Sequence, residues 1–299
     1  MKKLLYFLML PLVATSCNDL FEDDPYDFSG IKLGTESDKG SASAANLRMT
    51  EVPLLQANDL FVAHNLIIEG KEKDDTVMNY CLAYDTVKFH SRWVAFRFDE
   101  SNRAKNTGRS GNDAFQDDPE LSAKYYIGYN GFGSGYDRGH LCASNDRLVS
   151  EEANRQTFYM TNMSPQLSQF NQEYWVEYEQ YVQNLGRSTT FSDTLYVVKG
   201  GTIDRVNGYV ERNNGKKVPV PAYYYMALLK CKNSTYEAIG FWMEHKIYSI
   251  DADKAEIAAH AVSIDQLEYE TGIDFFHNLP DEIETVAEST VTLSSWNLQ

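Results

Sequence analysis

Tyr136-Asp137-Arg138-Gly139-His140-Leu141 is the stretch on which the reading of this chain turns. It reads as a strand or extended segment. In an extended backbone, residues two apart share a face, so the Arg138 cation and the His140 imidazole project from the same side. Thirty-one residues after His140, Asn171 opens an aromatic-rich segment. There Trp175, Tyr178, Val182 and Leu185 recur at helical spacing, which predicts an amphipathic helix over 173–185 with Gly186 as its C′ residue.

Working outward, Trp93 to Phe98, Leu195 to Val198, Ala222 to Lys230 and Glu237 to Met243 read as strands. Phe158-Tyr159-Met160 reads as a further buried strand and Glu151 to Thr157 as a short helix. Asn106 to Pro119 is a long polar loop. Ser263 is a good N-cap for a helix over 264–271 that ends at Gly272. Strands joined by loops, with few long helices between them, predict an α+β fold: a mixed, largely antiparallel central sheet flanked by helices.

The 299 residues divide into three expected parts. Residues 1–16 form a signal segment, a positive Met1-Lys2-Lys3 followed by an apolar run from Leu4 to Val13 too short to span a bilayer as a helix, which takes about 20 residues. Residues 17–53 form an acidic, then Ser/Gly/Ala-rich tether, and 54–299 form a single domain without a second linker or a repeat. Ala14-Thr15-Ser16-Cys17 resembles a bacterial lipobox with Cys17 as the lipidated residue. The acids after it resemble the export signal of surface lipoproteins in Bacteroidetes-type bacteria. These resemblances imply a lipid anchor on the cell envelope, exposed on the outer membrane, rather than a spanning segment.

Cys81, Cys142 and Cys231 show no CxxC or CxxH spacing, which argues against a zinc site and leaves one disulfide or none among them. The net charge of −16 argues superficially against a polyanionic partner. Its distribution argues otherwise: Lys88, Arg92, Arg97, Arg103, Lys105 and Arg109 face only Asp99 and Glu100 in that stretch, a local positive excess upstream of Asp137.

A base, a cation and a hard-metal ligand are what phosphodiester hydrolysis requires: water must be activated, phosphoryl charge neutralised and the leaving oxygen stabilised. The segments 136–141, 158–166 (Phe-Tyr-Met-Thr-Asn-Met-Ser-Pro-Gln) and Asn171-x-x-x-Trp175-x-x-x-Glu179 occur in the order and spacing of one family. The chain resembles the DNA/RNA non-specific endonucleases, the ββα-metal group that includes endonuclease G, from about Trp93 to Trp296.

The resemblance implies His140 as general base, Asn171 as the protein ligand of Mg²⁺ (or Mn²⁺ in its place) and Arg138 as a phosphate contact. It implies Glu179 as an acid holding metal-bound water and Asn162 as a residue beside the metal and substrate. Each has a plainer alternative: a structural histidine, an N-cap at Asn171, a salt bridge from Arg138 to Asp137, a solvated helix charge at Glu179, a turn asparagine at Asn162. Gln172 stands where many relatives carry arginine, and Cys142-Ala143-Ser144 also departs from the commoner continuation. The expected partners are DNA and RNA, with the membrane met through the lipid alone and no protein partner. The other readings of the same residues are a weakly catalytic module that captures nucleic acid and a phosphodiesterase for small phosphate esters.

Overall fold

In the computed structural model, residues 44–299 are described except 68–75, 134, 250 and 251; the expected signal segment, Cys17 and the tether up to residue 43 lie outside the described residues. Seven strands form the main sheet, in the order β1 (Asp59–Ile67), β2 (Thr76–Asp85), β3 (His90–Phe98), β6 (Thr194–Gly201), β9 (Tyr223–Lys232), β10 (Thr235–Glu244) and β11 (Ala261–Val262). Every neighbouring pair is antiparallel. Two hairpins complete the strands: β4 (Tyr136–His140) with β5 (Met163–Leu167), and β7 (Val206–Glu211) with β8 (Lys217–Pro221).

The central strands are hydrophobic on consecutive residues because both faces of the sheet are covered. Along β3, Val94, Phe96 and Phe98 enter one core layer while Trp93 and Ala95 enter the other. The helices are α1 (Ala44–Leu47), α2 (Glu151–Gln156), α3 (Val176–Arg187), α4 (Lys254–Ala259), α5 (Ile264–Thr271) and α6 (Asp281–Ser289). Trp175, Tyr178 and Val182 pack in the first layer; Ile264 and Leu267 of α5 and Ala287 of α6 pack in the second. Among the described residues, no helix is long and apolar enough to cross a membrane.

The mixed fold with its large antiparallel sheet is the one the sequence predicts. The α5 signals hold as well: Ser263 Oγ accepts from the Gln266 N–H at 3.1 Å, and Gly272 closes the helix at φ +66°. Three local expectations are corrected. Phe158 to Met160 is a turn leading into a 3₁₀ turn at Met160–Asn162, and the strand begins only at Met163. Gly186 lies inside α3, not after it; a Cβ there would overlap the buried Phe98 ring, so close packing is what requires glycine. Residues 44–53 are not tether, since Leu47 and Val52 are buried in the second layer and the Asn278 amide donates to the Leu47 carbonyl at 3.0 Å. Of the two alternatives left open for Cys81, Cys142 and Cys231, the structure has the second: Cys81 and Cys142 are free and buried, so no disulfide joins any two of the three.

Two buried histidines fasten the β4–β5 hairpin to the main sheet. His90 Nδ1 donates to the Ser91 carbonyl at 2.6 Å, so its Nε2 accepts from the Ser164 hydroxyl at 2.8 Å. The Tyr224 hydroxyl completes this link at 2.6 Å from Ser164 Oγ. His245 Nδ1 donates to the Pro221 carbonyl, and its Nε2 accepts the Leu167 N–H, both at 2.8 Å. Both rings act as acceptors only when neutral, and burial lowers each to about 4.

Candidate active site

The alternation of β4 puts Arg138 and His140 on one face, and two phenylalanines receive them. The Arg138 guanidinium lies 3.5 Å from the centre of the Phe115 ring, and the His140 ring meets Phe158 edge-on at 5.0 Å and Phe115 at 5.9 Å. Phe115 and Phe158 are themselves in edge contact at 4.9 Å. Arg109, exposed on the polar loop, sits over the other phenylalanine, 4.9 Å from the Phe158 centre. That loop is pinned from α2: Asn154 Oδ1 accepts the Ser110 N–H at 2.7 Å, and Asn154 Nδ2 donates to the Ser144 carbonyl at 2.7 Å.

His140 Nε2 is buried and has no hydrogen-bond partner. Burial first, then the Arg109 and Arg138 charges, lower the ring from its ordinary value near 6.5 to about 3. The imidazole is therefore neutral at physiological pH, with an unshared lone pair between two guanidiniums. That is the state a general base needs.

Asp137 turns the other way and gathers the start of the helix. Its Oδ2 accepts from Asn171 Nδ2 at 3.0 Å and from Gln172 Nε2 at 2.8 Å, while Oδ1 accepts from Ser168 Oγ at 2.9 Å. Burial alone would raise this carboxyl; the three hydrogen bonds and Arg138 bring it below the usual carboxylate range. Asp137 and Arg138 make no ion pair among the described contacts; Arg138 Nη1 donates instead to the Tyr129 carbonyl at 2.7 Å.

Asn171 is not an N-cap. It lies within a π-helical turn, Phe170–Trp175, that runs directly into α3. Such turns insert an extra residue into helical phase and often mark functional positions. With Nδ2 donating to Asp137, the Oδ1 of Asn171 is the amide atom left available for a metal. Glu179, one turn into α3, is half-buried. Burial raises its carboxyl to about 8, with Lys199 pulling it down and Asp146 pushing it up. The Asn171 amide oxygen is a hard donor of the kind Mg²⁺ takes, and Mg²⁺ keeps several waters that a carboxylate such as Glu179 could hold, so this sparse set fits it.

Lys199, on the central strand β6, pairs with Asp146 at 2.9 Å, both side chains fully buried. Asp146 Oδ2 also accepts the Ala143 N–H at 3.0 Å, so the pair anchors the loop that leaves His140. Asn162 clamps the same loop. Its Oδ1 accepts the Cys142 N–H at 2.8 Å, and its Nδ2 donates to the carbonyls of Cys142 at 2.8 Å and Thr157 at 2.7 Å. Asn162 is completely buried. The substrate contact expected of it is thus corrected to a scaffold role, because its amide groups are engaged by backbone.

The upstream positive excess is corrected too. Arg92 is enclosed by Asp59, Asp85 and Asp204, Lys88 pairs with Asp204, and Arg97 pairs with Asp99 at 2.8 Å. Arg103 donates to the Ser192 and Asp193 carbonyls. Of that stretch, Arg109 is the residue brought to His140. Its role was not legible beforehand, and neither was the seating of two arginines on Phe115 and Phe158.

The profile of the DNA/RNA non-specific endonuclease family matches residues 59–282. The chain is 33% identical over 219 residues to a nuclease of Nostoc sp., covering 71% of this chain and 76% of that protein. It is 29% identical over 212 residues to the mitochondrial endonuclease G of Bos taurus, covering 67% of this chain and 68% of that one. Its fold resembles a chain in the crystal structure of the EndoG/EndoGI complex, with a TM-score of 0.56 and 23% identity over 71% of this chain and 87% of that chain. The chain belongs to the DNA/RNA non-specific endonuclease family.

Proposed function

We propose that this hydrolase, a non-specific nuclease, cuts phosphodiester bonds of DNA and RNA with His140 as its general base and a divalent metal, Mg²⁺ or Mn²⁺, held through Asn171. The observation that carries the reading is the enclosed, unpartnered His140 Nε2, kept neutral between Arg109 and Arg138. In this mechanism Nε2 takes a proton from the water that attacks phosphorus. In this reading Arg138 and Arg109 meet non-bridging oxygens, which their seating over Phe115 and Phe158 beside His140 supports. Asn171 Oδ1 would hold the metal and Glu179 would orient water beside it. The metal, when bound, supplies charge neutralisation at the phosphate and the leaving 3′-oxygen. None of these groups is arranged to read a base edge, which is the physical reason to expect weak sequence preference.

The test is incubation of plasmid DNA and a structured RNA with the protein, in Mg²⁺ or in EDTA, beside His140→Ala. Loss of both substrates in Mg²⁺ but not in EDTA or with the variant is the expected result; equal cutting by the variant removes His140 from the role. Attachment of lipid at Cys17 and display on the envelope belong to the same proposal, supported by the order of segments in residues 1–17. Intact-mass analysis of membrane-fraction protein, finding no diacyl adduct, would reject that part.

A further inference from the structure

On the face of the sheet opposite α3, five carboxylates collect where α5 meets α6. Asp265 and Glu268 stand one turn apart on α5, Glu284 and Glu288 one turn apart on α6, and Asp274 lies on the connection between the helices. One carboxylate oxygen each from Asp265, Glu268 and Glu288 lie within 4.8 Å of one another. Among the described residues, no lysine or arginine forms an ion pair with any of the five.

A cluster of surface acids alone would be unremarkable in a chain of net charge −16. Glu288 makes this one different. It is only 5% exposed, its Oε1 is buried without a hydrogen-bond partner, and one of its carboxylate oxygens is in the group that lies within 4.8 Å. A buried, unpaired carboxylate is costly unless it is neutralised or bound to a cation. Glu268 is held in place from behind, its Oε1 accepting the Phe275 N–H at 2.8 Å. Burial raises both Glu268 and Glu288, and the neighbouring acids Asp274, Asp265 and Glu284 add to the effect.

We propose that Asp265, Glu268 and Glu288 form a divalent-cation site of the calcium class that clamps α5 to α6, separate from the nuclease centre. The donors are all hard oxygens. Two oxygens on one Ca²⁺ lie at most about 5 Å apart, twice its bond of roughly 2.3–2.6 Å, whereas Mg²⁺ with bonds of about 2.0–2.1 Å demands a tighter set. The three oxygens, all within 4.8 Å of one another, lie inside that reach of a single calcium ion. Asp265 is exposed, which gives the ion its entry path and room for the waters that complete its shell.

The clamp would act on the fold rather than on the chemistry. Ile264 and Leu267 of α5 and Ala287 of α6 are buried in the second core layer, so joining the two helices secures that layer.

The experiment is titration of the full chain carrying Asn171→Ala with CaCl₂, read by calorimetry and by thermal melting. Parallel titrations add Glu288→Gln or the exposed Asp265→Asn; the latter keeps the test valid should the buried substitution fail to fold. The expected result is one equivalent of Ca²⁺ bound with an upward shift in Tm. Both effects vanish with Glu288→Gln, and affinity weakens about tenfold or more with Asp265→Asn. The proposal is overturned if the Asn171→Ala chain binds no Ca²⁺ up to about 10 mM, well above the weak end of protein sites. It is equally overturned if binding persists unchanged in both added variants.

Discussion

Asp137 Oδ2 accepts a hydrogen bond from Asn171 Nδ2 at 3.0 Å, and this contact engages the amide nitrogen while leaving its oxygen available for the proposed metal. Asp137 is a positioning residue in this arrangement. Replacing it with alanine should leave the fold and the base intact while freeing the amide to turn. The Mg²⁺ concentration giving half-maximal cleavage should rise about 10–100-fold, the usual effect of removing a group that orients a metal ligand. A rate lowered equally at all Mg²⁺ concentrations would place Asp137 in the chemical step instead.

His140→Ala should reduce the cleavage rate by about 10²–10⁴-fold, the usual worth of a positioned base. The wild-type pH dependence carries the sign. Burial and two guanidiniums disfavour the imidazolium, so the free-enzyme base stays neutral down to about 3. The acid limb of kcat/KM should consequently fall below the ordinary histidine value near 6.5. An acid limb centred at 6.5 or higher would contradict the enclosed environment described for Nε2.

The two buried histidines that fasten β4 and β5 to the main sheet set an acid limit on stability. His90 and His245 are each lowered to about 4 when folded, whereas an unfolded histidine titrates near 6.5. Between these values the unfolded chain binds more protons, so stability falls as pH drops from about 6.5 to 4. The slope is at most about 1.4 kcal/mol per pH unit for each ring. Urea midpoints measured across that window should show it, with a shallower slope in His245→Gln; a flat wild-type profile would refute the account.

Asn162→Ala separates scaffold from substrate contact. It removes a buried amide that serves three backbone groups, which should cost on the order of 2–4 kcal/mol, at about 1 kcal/mol per bond plus the penalty for stranded partners. A clear drop in Tm with KM for DNA unchanged is expected. A raised KM at unchanged Tm would restore the substrate role.

Gly186→Ala poses a contest of magnitudes. Alanine is favoured over glycine within a helix by about 1 kcal/mol, but overpacking a buried position costs typically about 1–3 kcal/mol. The new methyl would meet the fully buried Phe98 ring, so the clash should win and Tm should fall. A higher Tm would mean that Phe98 can yield.

What was legible in the sequence was what local alternation and periodicity encode. Arg138 and His140 share a face because strands alternate, and Trp175, Tyr178, Val182 and Leu185 are all buried, as helical spacing predicts. The same periodicity hid the π-turn, since an inserted residue shifts phase without altering the pattern that follows it. Arg109 was hidden for a different reason. Its approach to Phe158 depends on how the 106–119 loop folds back under Asn154, and no short-range signal records that return. Asn162 was misread because its motif position and its burial point in different directions, and burial is a property of the finished core.

The Lys199–Asp146 pair has a consequence for how the enzyme breathes. Lys199 sits opposite Val94 and Met226 on the strands that flank β6, at the centre of the sheet, and its partner caps the segment just after His140. Separating two such dehydrated charges strands each of them in the interior. The segment from Leu141 to Asp146 therefore has no inexpensive fraying mode, and its amide protons should exchange with solvent only when the whole sheet opens. The loop that leaves His140 is thus tied to the centre of the main sheet before any ligand arrives, and local loosening there should cost about as much as opening the sheet itself.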